Sequence, residues 1–250
     1  MKVSSINKSV IVTGSSGAIG SAIVGQFKDD NFFVVGLDLN PPIDIEPDVF
    51  IETDLCQLAS DTDYRNNKIA EINKSISSKP LELLVNNAAI QMLDTGTHSD
   101  LDNFLIMQSV NALAPLALYM MFKNNLKSSK GSMINIGSIH STLTKPGFSG
   151  YAASKASLRS ITRSLAMESM GDIRIFSIEP AAIDTPMLRD GFQDASKLEE
   201  LKSFHPVGNI GTPQELAEFV SLLFSSKSKF LHGSCIDFSG GILSRLHDPD

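Results

Sequence analysis

Ser9-Val10-Ile11-Val12-Thr13-Gly14-Ser15-Ser16-Gly17-Ala18-Ile19-Gly20 is the stretch that decides the fold. A short β-branched run ends in a glycine turn, and the turn opens straight into a helical pattern over 19–30. That order is the first half of a parallel βαβ unit. Outward from it, runs at 32–37, 49–52, 81–85, 132–136, 173–178 and 234–238 have the near-continuous apolar character of parallel strands buried on both faces. Helical periodicity fills 64–77, 101–126, 151–170 and 213–224, the last opened by Thr212 as N-cap and Pro213 at its first position. The alternation predicts one α/β domain over 1–250, a doubly wound seven-stranded parallel sheet with helices on both faces and ligands beyond the carboxyl ends of the strands. Two segments break the rhythm. Pro41, Pro42 and Pro47 make 39–48 too proline-rich for a crossover helix, so irregular chain is expected there. Residues 185–207 set Met187, Leu188, Phe192 and Phe204 among polar residues, as a flap over an apolar pocket or a surface helix pair would.

Composition narrows the function. The 250 residues carry 42% hydrophobic and 20% charged side chains, a globular balance, and the net charge of −7 leaves no basic footprint for nucleic acid or an anionic membrane. Cys56 and Cys235 lie far apart and His98, His140, His205, His232 and His247 form no cluster with carboxylates, so neither disulfides nor a metal are expected. Residues 1–8 are polar and lack the apolar core of a signal peptide, and no apolar run approaches the roughly 18 residues of a membrane span. A cytoplasmic protein is the expectation.

The glycines at 14, 17 and 20 allow a tight turn and close approach of backbone, and the helix N-terminus behind them offers free N–H groups and positive dipole to a pyrophosphate. Asp38, at the end of the second strand, is placed to accept from adenosine ribose hydroxyls and to repel a 2′-phosphate. Ser16 and Leu39 are not basic. NAD is therefore favoured over NADP.

Ser138 follows the fifth strand, and Tyr151 and Lys155 stand four apart on one face of the next helix. A tyrosine acting as a base near pH 7 needs about 4 kcal/mol of phenolate stabilisation, which Lys155 and the positive nicotinamide of an oxidised cofactor could supply. Ser138 could hold the substrate oxygen.

From residue 9 to about 241 the chain resembles the classical, single-domain branch of the short-chain dehydrogenase/reductase family. The resemblance implies a Rossmann domain with Gly14, Ser16, Gly17, Ile19 and Gly20 around the cofactor, Asp54 and Leu55 at the adenine, and Asn86, Asn87, Ala88 and Ala89 stabilising the sheet and lining the cleft. It also implies that Pro180, Ile183 and Thr185 hold the nicotinamide carboxamide, while Lys155 binds the nicotinamide ribose. Asn111 would complete a proton relay through water to the lysine; otherwise it is a buried amide that kinks its helix. Ala18, Ala88, Ala89 and Ala181 stand where the family usually has glycine.

The implied activity is NAD-dependent hydride transfer between nicotinamide and a secondary alcohol or ketone, such as a sugar, hydroxy acid, steroid or cyclic diol. Asn111, Ser138, Tyr151 and Lys155 would form the catalytic set, and Gln91, His140 and Phe148 the pocket wall, His140 meeting a carboxylate or hydroxyl of the substrate. An NADPH-dependent 3-oxoacyl-carrier-protein reductase and a non-catalytic NAD-sensing scaffold are the alternatives. The resemblance further implies a homotetramer or homodimer packed through the long helices 101–126 and 151–170, where Leu116, Leu118, Met120 and Met121 suit either an interface or burial on the sheet.

Overall fold

A computed structural model describes residues 8–191, 194–226 and 228–245. The strands β1 (Ser9–Thr13), β2 (Phe33–Asp38), β3 (Val49–Glu52), β4 (Leu81–Asn86), β5 (Ser132–Ile136), β6 (Arg174–Pro180) and β7 (Cys235–Phe238) form one sheet in the order β3-β2-β1-β4-β5-β6-β7, every pair parallel. Each expected strand is present. The order reverses between β1 and β4, which opens a crevice beyond their carboxyl ends.

Alternate side chains go to opposite faces and both faces are covered. Ile11, Val35, Leu84, Met133 and Ile175 meet Leu118, Phe122 and Leu165 on one side. Val10, Val12, Val34, Val85, Ile134 and Phe176 meet Ile23, Phe27, Leu216 and Val220 on the other. Complete burial of each such side chain stabilises by about 1.5–3 kcal/mol, so residue pattern and sheet order reinforce each other.

The helices are α1 (Ala18–Asp29), α2 (Leu55–Ser60), α3 (Thr62–Ile76), α4 (Ser99–Gln108), α5 (Ala114–Ser129), α6 (Ser149–Ser169), α7 (Pro186–Asp190), α8 (Ala195–Phe204) and α9 (Pro213–Ser225). A five-residue π-helical turn, Ser109–Leu113, joins α4 to α5. The single helix expected over 101–126 thus contains one wide turn, and α2, absent from the sequence reading, is set by the Asp54 carboxylate capping Cys56 and Gln57 N–H. Thr212 and Glu215 form the capping box that starts α9.

One expectation about an apolar segment changes. The stretch Asp100–Ser129 is, among the described residues, long and apolar enough to cross a membrane by length and composition, and 44% of its most apolar window is buried within the protein. The sequence pattern hid its length because polar Asn111 and Pro115 interrupt the run. Pro186–Asp190 and Ala195–Phe204 are the helices α7 and α8, the helix pair that was one of the two forms expected for 185–207, with Met187 and Phe204 exposed; Phe192 lies outside the described residues.

The irregular expectation for 39–48 holds: the segment has no helix or strand and lies along α1, where Lys28 Nζ donates to Glu46 O at 2.7 Å and Asp48 Oδ2 accepts from Val34 N–H at 2.8 Å.

Gly14 has φ of +64°, and a Cβ on Gly20 would sit 1.9 Å from Gly14 O and 2.7 Å from its carbonyl carbon, both rigid backbone. Gly20→Ala must therefore push α1 off the turn, costing roughly 1–3 kcal/mol; urea unfolding of the variant against the parent should show a lower midpoint with unchanged slope.

Candidate active site

Threonine and asparagine side chains fix the glycine turn. Thr13 Oγ1 accepts from the N–H groups of both Asn87 and Ala88 at 3.0 Å, and Asn87 Nδ2 donates to Thr13 O at 3.0 Å and Gly14 O at 3.2 Å. The ends of β1 and β4 are thereby held together at the crevice. Among the described residues the N–H groups of Ala18, Ile19 and Gly20 have no partner, and Gly17 faces open space apart from Gly14 O. Unpaired donors at a helix N-terminus beside a glycine with room above it fit a pyrophosphate.

Asp38 closes β2 beside this turn. Its Oδ2 accepts from Ser16 N–H at 3.0 Å and its Oδ1 from Asn40 N–H at 3.1 Å, while Ser16 Oγ donates to Asn40 O at 2.6 Å. The carboxylate is thus oriented by backbone donors, and Ser16 acts on it directly. Asp54 spends Oδ1 on capping α2 and receives Gln57 Nε2 at Oδ2, 2.9 Å away. Leu55, which follows Asp54 at the start of α2, turns its side chain into the core. Pro180 ends β6, Ile183 bridges to Gly211, and Thr185 Oγ1 caps α7 by accepting from Leu188 N–H at 3.2 Å.

The second half of the site lies at the ends of β5 and β6. Half-buried Tyr151 and buried Lys155 share the inner face of α6, with Lys155 Nζ 5.8 Å from the Tyr151 ring centroid. Ser138 is buried beside the Tyr151 side chain. Lys155 Nζ donates to Ile136 O at 2.8 Å. Burial pushes the Tyr151 phenol up to about 12, only partly offset by Ser138, and the Glu179 carboxylate raises it further. Burial also brings the Lys155 ammonium down to about 8, against a smaller opposing pull from Glu179. Desolvation of the phenolate dominates in the protein alone, while the acidification expected of Tyr151 belongs to a site that holds Lys155 and a positively charged nicotinamide together.

Asn111 sits in the π-helical turn, where its Nδ2 donates to Ile90 O at 2.8 Å and Ser154 Oγ at 2.9 Å, and its Oδ1 accepts from Ile90 N–H at 2.8 Å. Its side chain ties the loop after β4 to α6. Gln91 is half-buried on that same loop. His140 stacks on Phe148 with centroids 4.9 Å apart and meets Tyr151 edge-on at 5.6 Å. Burial, with Lys145 nearby, lowers the His140 pKa and so favours its neutral form.

Glu179 is the residue that sequence reasoning missed. It is 0% exposed, and a Cβ on Gly137 would come within 2.4 Å of its Oε2. Oε2 accepts from Ser138 N–H at 2.9 Å and Ser141 Oγ at 3.0 Å, and Oε1 from Ser177 Oγ at 2.7 Å. A lone acid between Ile178 and Pro180 in an apolar strand was the available signal.

A glycine-bounded anion cradle, an acid at the end of β2 and a Ser–Tyr–Lys cluster beyond the ends of β5 and β6 agree with the family comparison: a family model described as enoyl-(acyl carrier protein) reductase matches residues 14–243. The chain belongs to the short-chain dehydrogenase/reductase family. These are oxidoreductases that bind NAD or NADP and act on small molecules. The chain is 30% identical to an uncharacterised short-chain type dehydrogenase/reductase, y4vI, of Sinorhizobium fredii, over 94% of this chain and 43% of that protein, so it spans less than half of that relative. Among solved structures it is similar to ligand-free aldohexose dehydrogenase of Thermoplasma acidophilum, with TM-score 0.87, 28% identity and 98% of each chain covered. It is also similar to a 4-hydroxyisoleucine dehydrogenase complexed with NADH, with TM-score 0.85 and 26% identity over 96% of this chain and 100% of that one.

The buried ammonium has a consequence for stability. Lys155 falls from 10.5 to about 8 on folding, so the folded state binds its proton less tightly than the unfolded chain does. The destabilisation is complete below pH 8 and disappears as pH rises to 10.5, amounting to about 3 kcal/mol at its largest. Lys155→Met, which loses the bond to Ile136 O (about 1 kcal/mol), should be at least as stable as the parent at pH 7. Its advantage should shrink from pH 8 to 10, measured by denaturant titration at each pH.

Proposed function

We propose that this short-chain dehydrogenase/reductase is an NAD-dependent dehydrogenase that interconverts a secondary alcohol and its ketone. The observation that carries the reading is the convergence of buried Ser138, Tyr151 and buried Lys155, the last two on one face of α6, at the strand ends beside the glycine cradle. Bound there, nicotinamide would accept or donate the hydride. Ser138 would hold the substrate oxygen and Tyr151 would exchange the hydroxyl proton. Lys155 would bind the nicotinamide ribose and supply positive charge to the phenolate, and Asn111, locked to Ile90 and Ser154, would hold the loop and helix in register for the proton path.

Because the protein alone keeps the phenol protonated, its action as a base belongs to the state in which a second positive charge has joined Lys155. Asp38 supports NAD: its oriented carboxylate would accept from ribose hydroxyls and repel a 2′-phosphate. Neutral His140 stacked on Phe148 supports a hydroxylated or cyclic substrate, with Gln91 as a further polar contact. The alternative, a 3-oxoacyl-carrier-protein reductase, would go with NADPH; the description of the matching family model shares its acyl-carrier substrate but names an enoyl group, reduced at a carbon–carbon double bond and not at a ketone.

A cytoplasmic homodimer or homotetramer completes the reading. Leu118 is buried on the sheet, but Leu101 and Leu105 of α4, Met120 of α5 and Met167 of α6 are exposed on the helices of one sheet face, where a second copy would cover them.

Fluorescence titration at fixed ionic strength should give at least tenfold tighter binding of NADH than NADPH; the reverse preference would overturn the cofactor assignment and favour the carrier-protein reductase. On a panel of secondary alcohols, Tyr151→Phe should lose 10²–10⁴-fold in kcat with NADH binding unchanged, and near-parental turnover would remove Tyr151 from the chemistry.

A further inference from the structure

Glu179 stands out as a fully buried carboxylate with no ion pair among the described residues. Burying a carboxylate is costly unless hydrogen bonds compensate, and here three donors do: Ser138 N–H, Ser141 Oγ and Ser177 Oγ. Two of them belong to the turn that carries Ser138. That turn is a single 3₁₀ unit, Ile139–Ser141, and Ser138 Oγ also accepts from His140 N–H at 3.2 Å. The carboxylate therefore grips both ends of the turn from β6, while Gly137 leaves it the space to do so. Arg159 Nη1 donates to Ser141 Oγ at 3.1 Å, so a cation reaches the carboxylate through one hydroxyl.

We propose that Glu179 is a positioning residue of the site: its carboxylate fixes the Ser138–Ser141 turn against β6 and stands as the buried anion behind Ser138 and Tyr151. The inference rests on the reading that Ser138 and Tyr151 handle the substrate oxygen and its proton. The charged and titratable groups around the pair are Lys155 and, through Ser141, Arg159 from α6, His140 from the turn, and Cys235 from β7 with Arg163 beside it. Glu179 is the anion among them, and its charge acts on Tyr151, Lys155 and Cys235 alike. Burial keeps the phenol protonated in the protein alone, the carboxylate behind the serine adds to it, and release of the proton waits for a positively charged partner.

The test uses the full chain, with NAD and an alcohol the parent turns over. Glu179→Gln keeps the shape, removes the charge and places an NH2 where Ser138 N–H or Ser177 Oγ needs an acceptor. It should lower kcat at least tenfold, leave the NADH dissociation constant within threefold, and move the acid limb of kcat/KM to lower pH by half a unit or more. Glu179→Asp keeps the charge, so the limb should stay while kcat falls. Ser141→Ala, which leaves the carboxylate in place and is tolerated at a partly exposed position, should lower kcat severalfold, and it decides the matter if Glu179→Gln does not fold. Parental kcat and an unmoved limb in Glu179→Gln, or parental kcat in Ser141→Ala where the glutamine variant is unfolded, would overturn the proposal. Tyr151→Phe run alongside separates the two layers: full turnover in that variant sinks the underlying reading, whereas an inactive Tyr151→Phe beside an unaltered Glu179→Gln sinks only the role of Glu179.

Discussion

The contact between Gly20 and the Gly14 carbonyl, clamped from the side by Asn87, is the constraint on which the rest of the site depends. Only a helix that starts this close to the turn presents its unpaired N–H groups over the crevice, and only glycine at both positions permits the approach. Thr13 and Asn87 then fasten the turn to β4, the strand on the other side of the crevice. Asp38 is brought in through Ser16, which belongs to the same turn. One local packing requirement thus sets the positions of the cradle, the acid and the β4 loop together.

How much of this was legible in the sequence follows from how each feature is encoded. The strands were readable because a parallel strand covered on both faces needs an unbroken apolar run, and Val10–Val12 or Leu83–Val85 can hardly be anything else. Tyr151 and Lys155 were readable because helical spacing puts them on one face and Ser138 and the family resemblance add to that pair. The short helix α2 was not, since six residues carry too little periodicity and its start depends on one aspartate cap. Asn111 was picked out by the family resemblance, yet the wide turn around it could not be, because its bonds go to Ile90 and Ser154, far away in sequence. The direction of the tyrosine shift also escaped a reading by spacing: neighbouring charge is visible in sequence, whereas depth of burial is a property of the folded chain.

The site also carries two charges in surroundings that would ordinarily refuse them. Lys155 has a single backbone carbonyl as hydrogen-bond partner and Glu179 has neutral donors only. Their long-range attraction partly offsets the desolvation of each. Uncovered, such groups would be solvated and unresponsive; in this pocket each senses any charge that enters, which is the electrostatic condition for a site that changes its protonation when loaded.

The wide turn at Ser109–Leu113 has an evolutionary reading as well. A π turn holds one residue more than an α turn, so it is equivalent to a single-residue insertion absorbed by a helix. Deleting one residue there would restore regular winding, but it would rotate everything on one side of the turn by about 100° relative to the other. Asn111 would leave Ile90 and Ser154, or Leu118 and Phe122 would leave the sheet. Substitutions along this helix can accumulate one at a time, whereas its length at this point is locked by two requirements that no shorter helix can satisfy together.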